Sequence, residues 1–249
     1  MSKFFSNYRT LGTSSRPELD LSDHWVGYVR STKQVIYSPK VDVDSNGHSY
    51  VDLGLPSGTL WATQNIGSSS ETGYGDYFAW GEISTKSTFT WNNYAWGTED
   101  HPTKYNSSDG MTSLEPEDDA AHVLWGGNWV VPSINHWQEL IDNAQASNVV
   151  SGVKGVRFTG QNGNSIFLPA AYIYNNYYSC YYWTSNLDSS GSYYDGASVF
   201  NSSSITNSTV NVSTSSRSRY VGFVIRPVLN AQRRFLSHGG PSEPWNVPQ

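Results

Sequence analysis

Apolar and polar positions along this chain alternate in short runs that predict many small strands and only two helices. After a turn at Asn46-Gly47, Tyr50-Val51-Asp52-Leu53 alternates with period two, as a half-buried strand does, and TLWATQNIG (59–67) continues in that style. From Tyr74 to Trp96, glycines and aromatic residues interrupt the chain too often for helix and predict short strands with long loops. Pro116, Glu117, Asp118 and Asp119 supply an acidic first turn, and Ala120 to Trp125, closed by Gly126-Gly127, predicts a short helix. Ser133 stands at the N-cap of a second helix, in which Ile134, Trp137, Leu140 and Ile141 share a face. Residues 152–168 predict a hairpin about Asn162-Gly163. A last strand, Gly222 to Leu229, holds Pro227 and is expected at a sheet edge or to end there. Residues 1–47 form a leader broken by Pro17 and Pro39, with HWVGYVRSTKQVIYS suited to a short hairpin. Residues 230–249 form a tail without periodicity, so the organised domain is expected over 48–229.

Composition changes the picture at Tyr172 to Val221. Serine, tyrosine and asparagine fill 29 of these 50 positions, nine of the 17 tyrosines fall here, and the only formal charges are Asp188, Asp195, Arg217 and Arg219. Tyrosine supplies a rigid contact plate with a polar tip, while serine and asparagine supply short adaptable hydrogen-bonding groups, the mixture used by paratopes. A low-complexity polar loop is the plainer alternative. Ordered-looking flanks, FLPAA before and GFVIRPVL after, favour a binding surface. Between Asn162 and Ala231 there is no Lys, Glu, Gln or Met, although the chain holds 23 of them; their overall frequency would place about six or seven there. Those four residues, with Trp, are the ones an NNY codon cannot encode. Composition drift is the competing account.

The whole-chain totals exclude more than they assign. With 14% charged residues and a net charge of −6 there is no basic footprint for nucleic acid or an anionic membrane. Cys180 is the sole cysteine and excludes an intrachain disulfide, leaving ten Trp and 26 other aromatic residues to carry packing. The start MSKFFSNYRTLGTSSRPELD has neither the apolar segment nor the cleavage site of a secretory signal, and no run approaches the roughly 20 apolar residues of a membrane span. A soluble product made in a cytoplasm is therefore expected, without membrane insertion.

Candidate chemistry is thin. Asp42, Asp44, Asn46 and Gly47 match the opening of a calcium loop, but its twelfth position, which needs a bidentate Glu, is Leu53; a hairpin turn explains the run better. Six dispersed histidines lack ligand spacing. The acids Glu115 to Asp119 fit a helix start more simply than paired catalytic carboxylates. Tryptophans 61, 80, 91, 96, 125, 129 and 137 are expected in the core rather than as a sugar-stacking platform. No cofactor, metal or catalytic residue is expected.

Seven runs in order, YVDLGLPSGTLWAT (50–63), YGDYFAWGEI (74–83), EDDAAHVLWGGNWVVPS (117–133), HWQELIDNA (136–144), FLPAA (167–171), YYWTS (181–185) and RYVGFVIRPV (219–228), resemble the Fibrobacter succinogenes major paralogous domain. The resemblance covers roughly residues 48–229. It implies an α+β, C-type-lectin-like fold with two helices, small antiparallel sheets and a long loop-rich lobe. It departs from the family at WVVPS, where typical members have WRMPT, and at VIRPV, where the usual ending is SVRPV. The calcium-dependent sugar triplets of EPN or QPD type are absent, so sugar recognition does not follow from the fold. An oxygen-dependent formylglycine-generating enzyme shares the broader fold but needs a reactive cysteine pair, which Cys180 alone cannot provide. Some members of the fold class are variable proteins of diversity-generating retroelements, in which NNY codons precede the terminal GF-x-[VI]-RPV strand. On that resemblance Trp183, Thr184, Ser185, Phe200, Arg219, Gly222 and Arg226 match scaffold positions. The varied, ligand-binding positions are then Tyr174, Asn175, Asn176, Tyr177, Tyr178, Tyr181, Leu187, Asp188, Tyr193, Tyr194, Asp195, Ala197, Val199, Ser216, Ser218, Tyr220 and Val221.

The expected function is non-enzymatic recognition of a host cell-surface glycan or protein by a phage virion component, a fibre, tail or capsid decoration. Residues 1–47 would dock it to other virion proteins, and a homotrimer would multiply weak contacts. A bacterial cell-surface adhesin or fimbrial tip, a structural virion protein without receptor binding, and a carbohydrate-active enzyme with stacking tryptophans are the alternatives.

Overall fold

The computed structural model describes residues 24–29, 34–39, 41–174, 177–188, 196–202 and 211–229. The chain divides into two compact units, Met1–Ser38 and Pro39–Gln249. Early in the chain β1 (His24–Val29) and β2 (Gln34–Pro39) pair as a two-stranded sheet, the hairpin expected from that run.

Strands β3 (Val41–Val43), β4 (Ser49–Asp52) and β5 (Leu60–Ala62) follow, then helix α1 (Ala120–Trp125), β6 (Trp129–Val130) and helix α2 (Ile134–Asn143). Next come β7 (Gln145–Val149), β8 (Gly155–Thr159), β9 (Ser165–Pro169), β10 (Tyr172–Tyr174) and β11 (Tyr177–Leu187). The last three strands are β12 (Gly196–Ser202), β13 (Val212–Ser218) and β14 (Val228–Leu229). They assemble as three sheets of order β3-β4-β5-β14-β6, β7-β8-β9 and β10-β11-β12-β13, with every strand pair antiparallel. The architecture is α+β, with few helices and several small antiparallel sheets.

Local chemistry accounts for most elements. The Asp44 carboxylate closes the β3–β4 turn by accepting from the backbone N–H of Asn46 and of His48, and its second oxygen accepts from Trp129 Nε1 at 2.6 Å. The D-x-D-x-N-G run is thus a hairpin turn, its central carboxylate already surrounded by donors. Asp119, placed by the sequence in the first turn of α1, is instead its N-cap: Oδ1 accepts from His122 N at 3.0 Å, and Pro116–Asp118 forms a 3-10 turn ahead of the helix. Ser133 caps α2 with a reciprocal pair, its Oγ accepting from His136 N and its own N–H donating to His136 Nδ1. The β8–β9 hairpin turns at Asn162-Gly163, where Gly163 has φ 84°, a left-handed conformation that other residues adopt only with strain.

Two expectations need correction. Pro227 does not mark an edge: β14 lies between β5 and β6 in the interior of its sheet. It is only two residues long and begins just after the proline, so the missing N–H interrupts no ladder, while the Pro227 carbonyl accepts from Ala62 N at 3.0 Å. Residues 222–226 add only isolated bridges, Phe78↔Phe223 and Tyr182↔Val224. Nor does Tyr74 to Trp96 form strands; it is loop with one 3-10 turn at Trp91–Asn93, its backbone held by single bonds such as Trp80 N to Arg219 O at 2.8 Å.

Two hydrophobic clusters fill the second unit. One joins α2 to all three sheets through Trp61, Trp137, Phe158, Leu168, Tyr182, Phe200 and Val228. Trp137 stacks on Phe200 with ring centroids 4.3 Å apart and tilts against Trp61 at 4.7 Å. The other gathers Phe78, Trp80, Trp129, Trp183, Phe223 and Ile225 beneath the loop-rich stretch. Arg226 is fully buried between strands; its Nε donates to Asn65 Oδ1 (2.8 Å), Nη1 to Ala62 O (3.1 Å) and Nη2 to Phe167 O (2.9 Å). Burial lowers its pKa below the usual arginine value.

Arg226→Leu leaves three buried acceptors without their donor, at roughly 1–3 kcal/mol each. The expected outcome, read by urea denaturation, is loss of most of the folding free energy; a change below about 1 kcal/mol would contradict the account. A pH prediction concerns Asp44. Burial alone would raise its pKa, but the hydrogen bonds from Trp129, His48 and Asn46 outweigh burial and hold it below 3.8. A depressed carboxylate contributes stability above its unfolded pKa and loses it as pH falls through the folded value. The gap in urea midpoint between wild type and Asp44→Asn should be open at neutral pH and close in acid below 3.8.

Candidate functional site

The β10-β11-β12-β13 sheet carries most of the Tyr/Ser/Asn-rich stretch, and its register decides which side chains meet. Tyr172 lies opposite Ser179, Tyr181 opposite Asn201, and Asn201 opposite Ser213. Trp183 lies opposite Val199 and Val199 opposite Ser215; Ala197 faces Leu187 on one side and Arg217 on the other. Since side chains alternate across a strand, Tyr172, Tyr181, Asn201, Ser213, Ser215 and Arg217 share one face. Tyr178, Cys180, Tyr182, Phe200, Ser216 and Ser218 share the opposite one, which packs against α2.

The first face holds an ordered aromatic and polar group. Tyr181, half-buried, stacks on Phe223 with centroids 5.1 Å apart and planes 15° from parallel. Tyr172 is 38% exposed and meets Tyr181 edge-on at 5.1 Å and Phe223 at 6.1 Å. The exposed Arg217 lays its guanidinium 4.8 Å from the Tyr181 ring centroid, donating from Nη2 to the Tyr181 hydroxyl (2.8 Å) and from Nη1 to Ser216 O (2.7 Å). Asn201 Nδ2 donates to Ser213 Oγ (3.2 Å) and Ser215 Oγ (2.9 Å). Each side chain is fixed by a neighbour on the same face, so little rotamer freedom remains to be lost when something binds.

The residues expected at the surface do not all reach it. Ala197 and Val199 are 0% exposed and belong to the second core cluster, under Tyr181, Leu187 and Val221; this corrects their assignment as contact positions. The reason is that β12 is an inner strand with both faces covered, its residues almost all buried. Ser216 and Ser218, half-buried, point to the helix side, as does Tyr178, whose ring lies 4.0 Å from Lys154 Nζ. Leu187 and Asp188 are half-buried at the end of β11, where Asp188 N donates to Gly196 O. Tyr220 and Val221 follow β13 in a turn, with Tyr220 tilted against Trp91 at 4.9 Å. Tyr174 and Tyr177 lie in β10 and β11, their side chains outside the described set; Asn175, Asn176, Tyr193, Tyr194 and Asp195 lie outside the described residues. The structure therefore brings Tyr181 together with Tyr172, Asn201, Ser213, Ser215, Arg217 and Phe223, none of which the sequence reading named as a contact. Their signal is the period-two spacing of 213, 215 and 217, one residue out of phase with the chosen Ser216 and Ser218. The scaffold residues Trp183, Thr184, Phe200, Arg219 and Arg226 are all buried. At Gly222 a Cβ would come within 2.5 Å of the Phe89 ring, so a larger residue there requires that ring to shift.

Elsewhere the polar groups are engaged structurally. Asp118 accepts from Lys104 Nζ at 2.6 Å and from the Tyr105 hydroxyl. Cys180 is fully buried, and burial pushes its thiol up to about 12, so it is a thiol at neutral pH. Of the tryptophans named, 61, 80, 125, 129 and 137 are buried, while 91 and 96 are partly exposed. Among the described residues no group of three or more His, Cys, Asp or Glu could hold a metal ion, and no helix is long and apolar enough to cross a membrane.

No protein-family model, curated protein or solved structure matches this chain.

The two kinds of position are separable by substitution. Ser213→Tyr on the exposed row should change stability by no more than about 0.5 kcal/mol. Val199→Tyr must overfill a closed core and should cost about 1–3 kcal/mol or more. Thermal melts of both variants check this; equal tolerance would return Val199 to the surface.

Proposed function

We propose that this chain is a non-enzymatic recognition protein that presents the Tyr172–Tyr181–Arg217 face to a target on a host cell surface. The carrying observation is the fixed, half-exposed stack of Tyr172 and Tyr181 on Phe223 with Arg217 laid across it. Aromatic plates of low conformational freedom, ringed by short polar groups, are what contact surfaces use for affinity without prior reorganisation. The scaffold is assigned to the C-type-lectin-like class through the seven runs quoted above. Two helices, small antiparallel sheets and a loop-rich stretch between β5 and α1 accord with that class. The Lys/Glu/Gln/Met gap supports a segment diversified through NNY codons. Together these favour a phage virion component, with residues 1–47 attaching it to other virion proteins and a homotrimer supplying avidity. A bacterial adhesin is the second reading, and the same face would serve it.

The test uses labelled full-length protein and intact cells of a gut bacterial community. Wild type should mark a defined subset of cells, and Tyr172→Ser/Tyr181→Ser should lower that signal at least tenfold while remaining folded at the assay temperature, as a cooperative melt shows. Equal labelling by both proteins, or none by wild type, overturns the proposal.

A further inference from the structure

We propose that the Tyr181–Arg217 face takes an acidic sugar, a pyranose carrying a carboxylate; this rests on the recognition reading above and adds the chemistry of the ligand. The first support is the cation. Arg217 is exposed, and among the described residues no carboxylate pairs with it; its contacts are Ser216 O and the Tyr181 hydroxyl. A guanidinium carries five N–H donors in a planar fork, so three remain for a ligand oxygen. Its seat over the Tyr181 ring and its bond to the Tyr181 hydroxyl hold the fork in place, which favours bidentate capture of a carboxylate.

The second support is the plate. Tyr172, 38% exposed and held edge-on against Tyr181 and Phe223, offers an aromatic surface to the C–H face of a sugar ring, while Arg217 lies across Tyr181 itself. The third is the polar row. Ser213, Ser215 and Arg217 alternate along β13, so the row spans about 13 Å, longer than one sugar ring. Asn201 Nδ2 bridges the two serine oxygens, which leaves their hydroxyl hydrogens and Asn201 Oδ1 to meet sugar hydroxyls. Charge complementarity decides between occupants. The chain is net −6, so a nucleic acid or other dense polyanion is repelled overall, and Arg217, the single cation on this face among the described residues, suits a ligand with isolated negative groups. A protein ligand would seek a desolvated pocket for an anchor side chain; this face offers a flat stack and a hydroxyl row instead.

The experiment is calorimetric titration of the full chain with methyl galacturonide and with sialyllactose, each carrying one carboxylate and each set beside its carboxyl-reduced form. Wild type should bind at least one acidic form tenfold or more tightly than the reduced one. Arg217→Gln should abolish that preference, Arg217→Lys should retain part of it, and Tyr181→Ala should weaken both forms. Gln138→Ala, on the exposed side of α2, should change nothing. Equal affinity for acidic and reduced forms, no binding to either acid, or an unaltered preference in Arg217→Gln overturns the acidic-sugar inference. If Tyr181→Ala nonetheless abolishes cell labelling, the recognition face stands and its ligand is a protein or a neutral glycan; if it does not, both proposals fall together.

Discussion

A buried cation that, among the described residues, is held by amide and carbonyl oxygens keeps this molecule in register. Arg226 distributes its donors among the side chain of Asn65, the carbonyl of Ala62 at the end of β5 and the carbonyl of Phe167 in β9. A charge placed so far from water is stabilised by the acceptors its guanidinium finds, so the three partners must arrive together. Two sheets and one loop are thereby fixed against each other in a chain that has no disulfide to do it. The residues just before Arg226 then run between β11 and the loop at Phe78, bringing Phe223 under Tyr181. The surface stack is an extension of the arginine's seat.

Where local chemistry determined structure, the sequence was readable. Ser133 announced α2 because a side-chain oxygen at that spot accepts from the His136 N–H, which has no carbonyl partner within the helix, and Trp137 and Leu140 followed on one face. Asn162-Gly163 announced the β8–β9 turn through the left-handed conformation its glycine must take. Pro227 misled because a proline's missing donor is a statement about one residue, while the strand's position depends on partners far away in sequence, Leu60 and Trp129. The loops from Tyr74 to Trp96 misled for the opposite reason: aromatic side chains there are anchored singly, Trp80 Nε1 to Thr184 O and Trp96 Nε1 to Gly81 O, without any ladder.

The site was visible as a region and hidden as a face. Tyrosine, serine and asparagine density singles out 172–221 without structure. Composition carries no parity, however, and a shift of one residue moves a side chain through the sheet. Ser215 and Ser216 are identical neighbours in the sequence, yet one stands beside Asn201 and the other on the side of α2. Ala197 and Val199 were indistinguishable from surface positions until their face of β12 was seen to lie under Tyr181, Leu187 and Val221.

The double covering of β12 has a consequence for any process that rewrites this part of the gene. A scheme that randomises codons evenly from 196 to 218 would strike a closed interior at Ala197, Val199 and Phe200 as often as the outward row, and many of its products would not fold. Tolerant diversity is confined to a comb: Ser213, Ser215 and Arg217 of β13, together with Tyr172 and Tyr181 on the far side of β12.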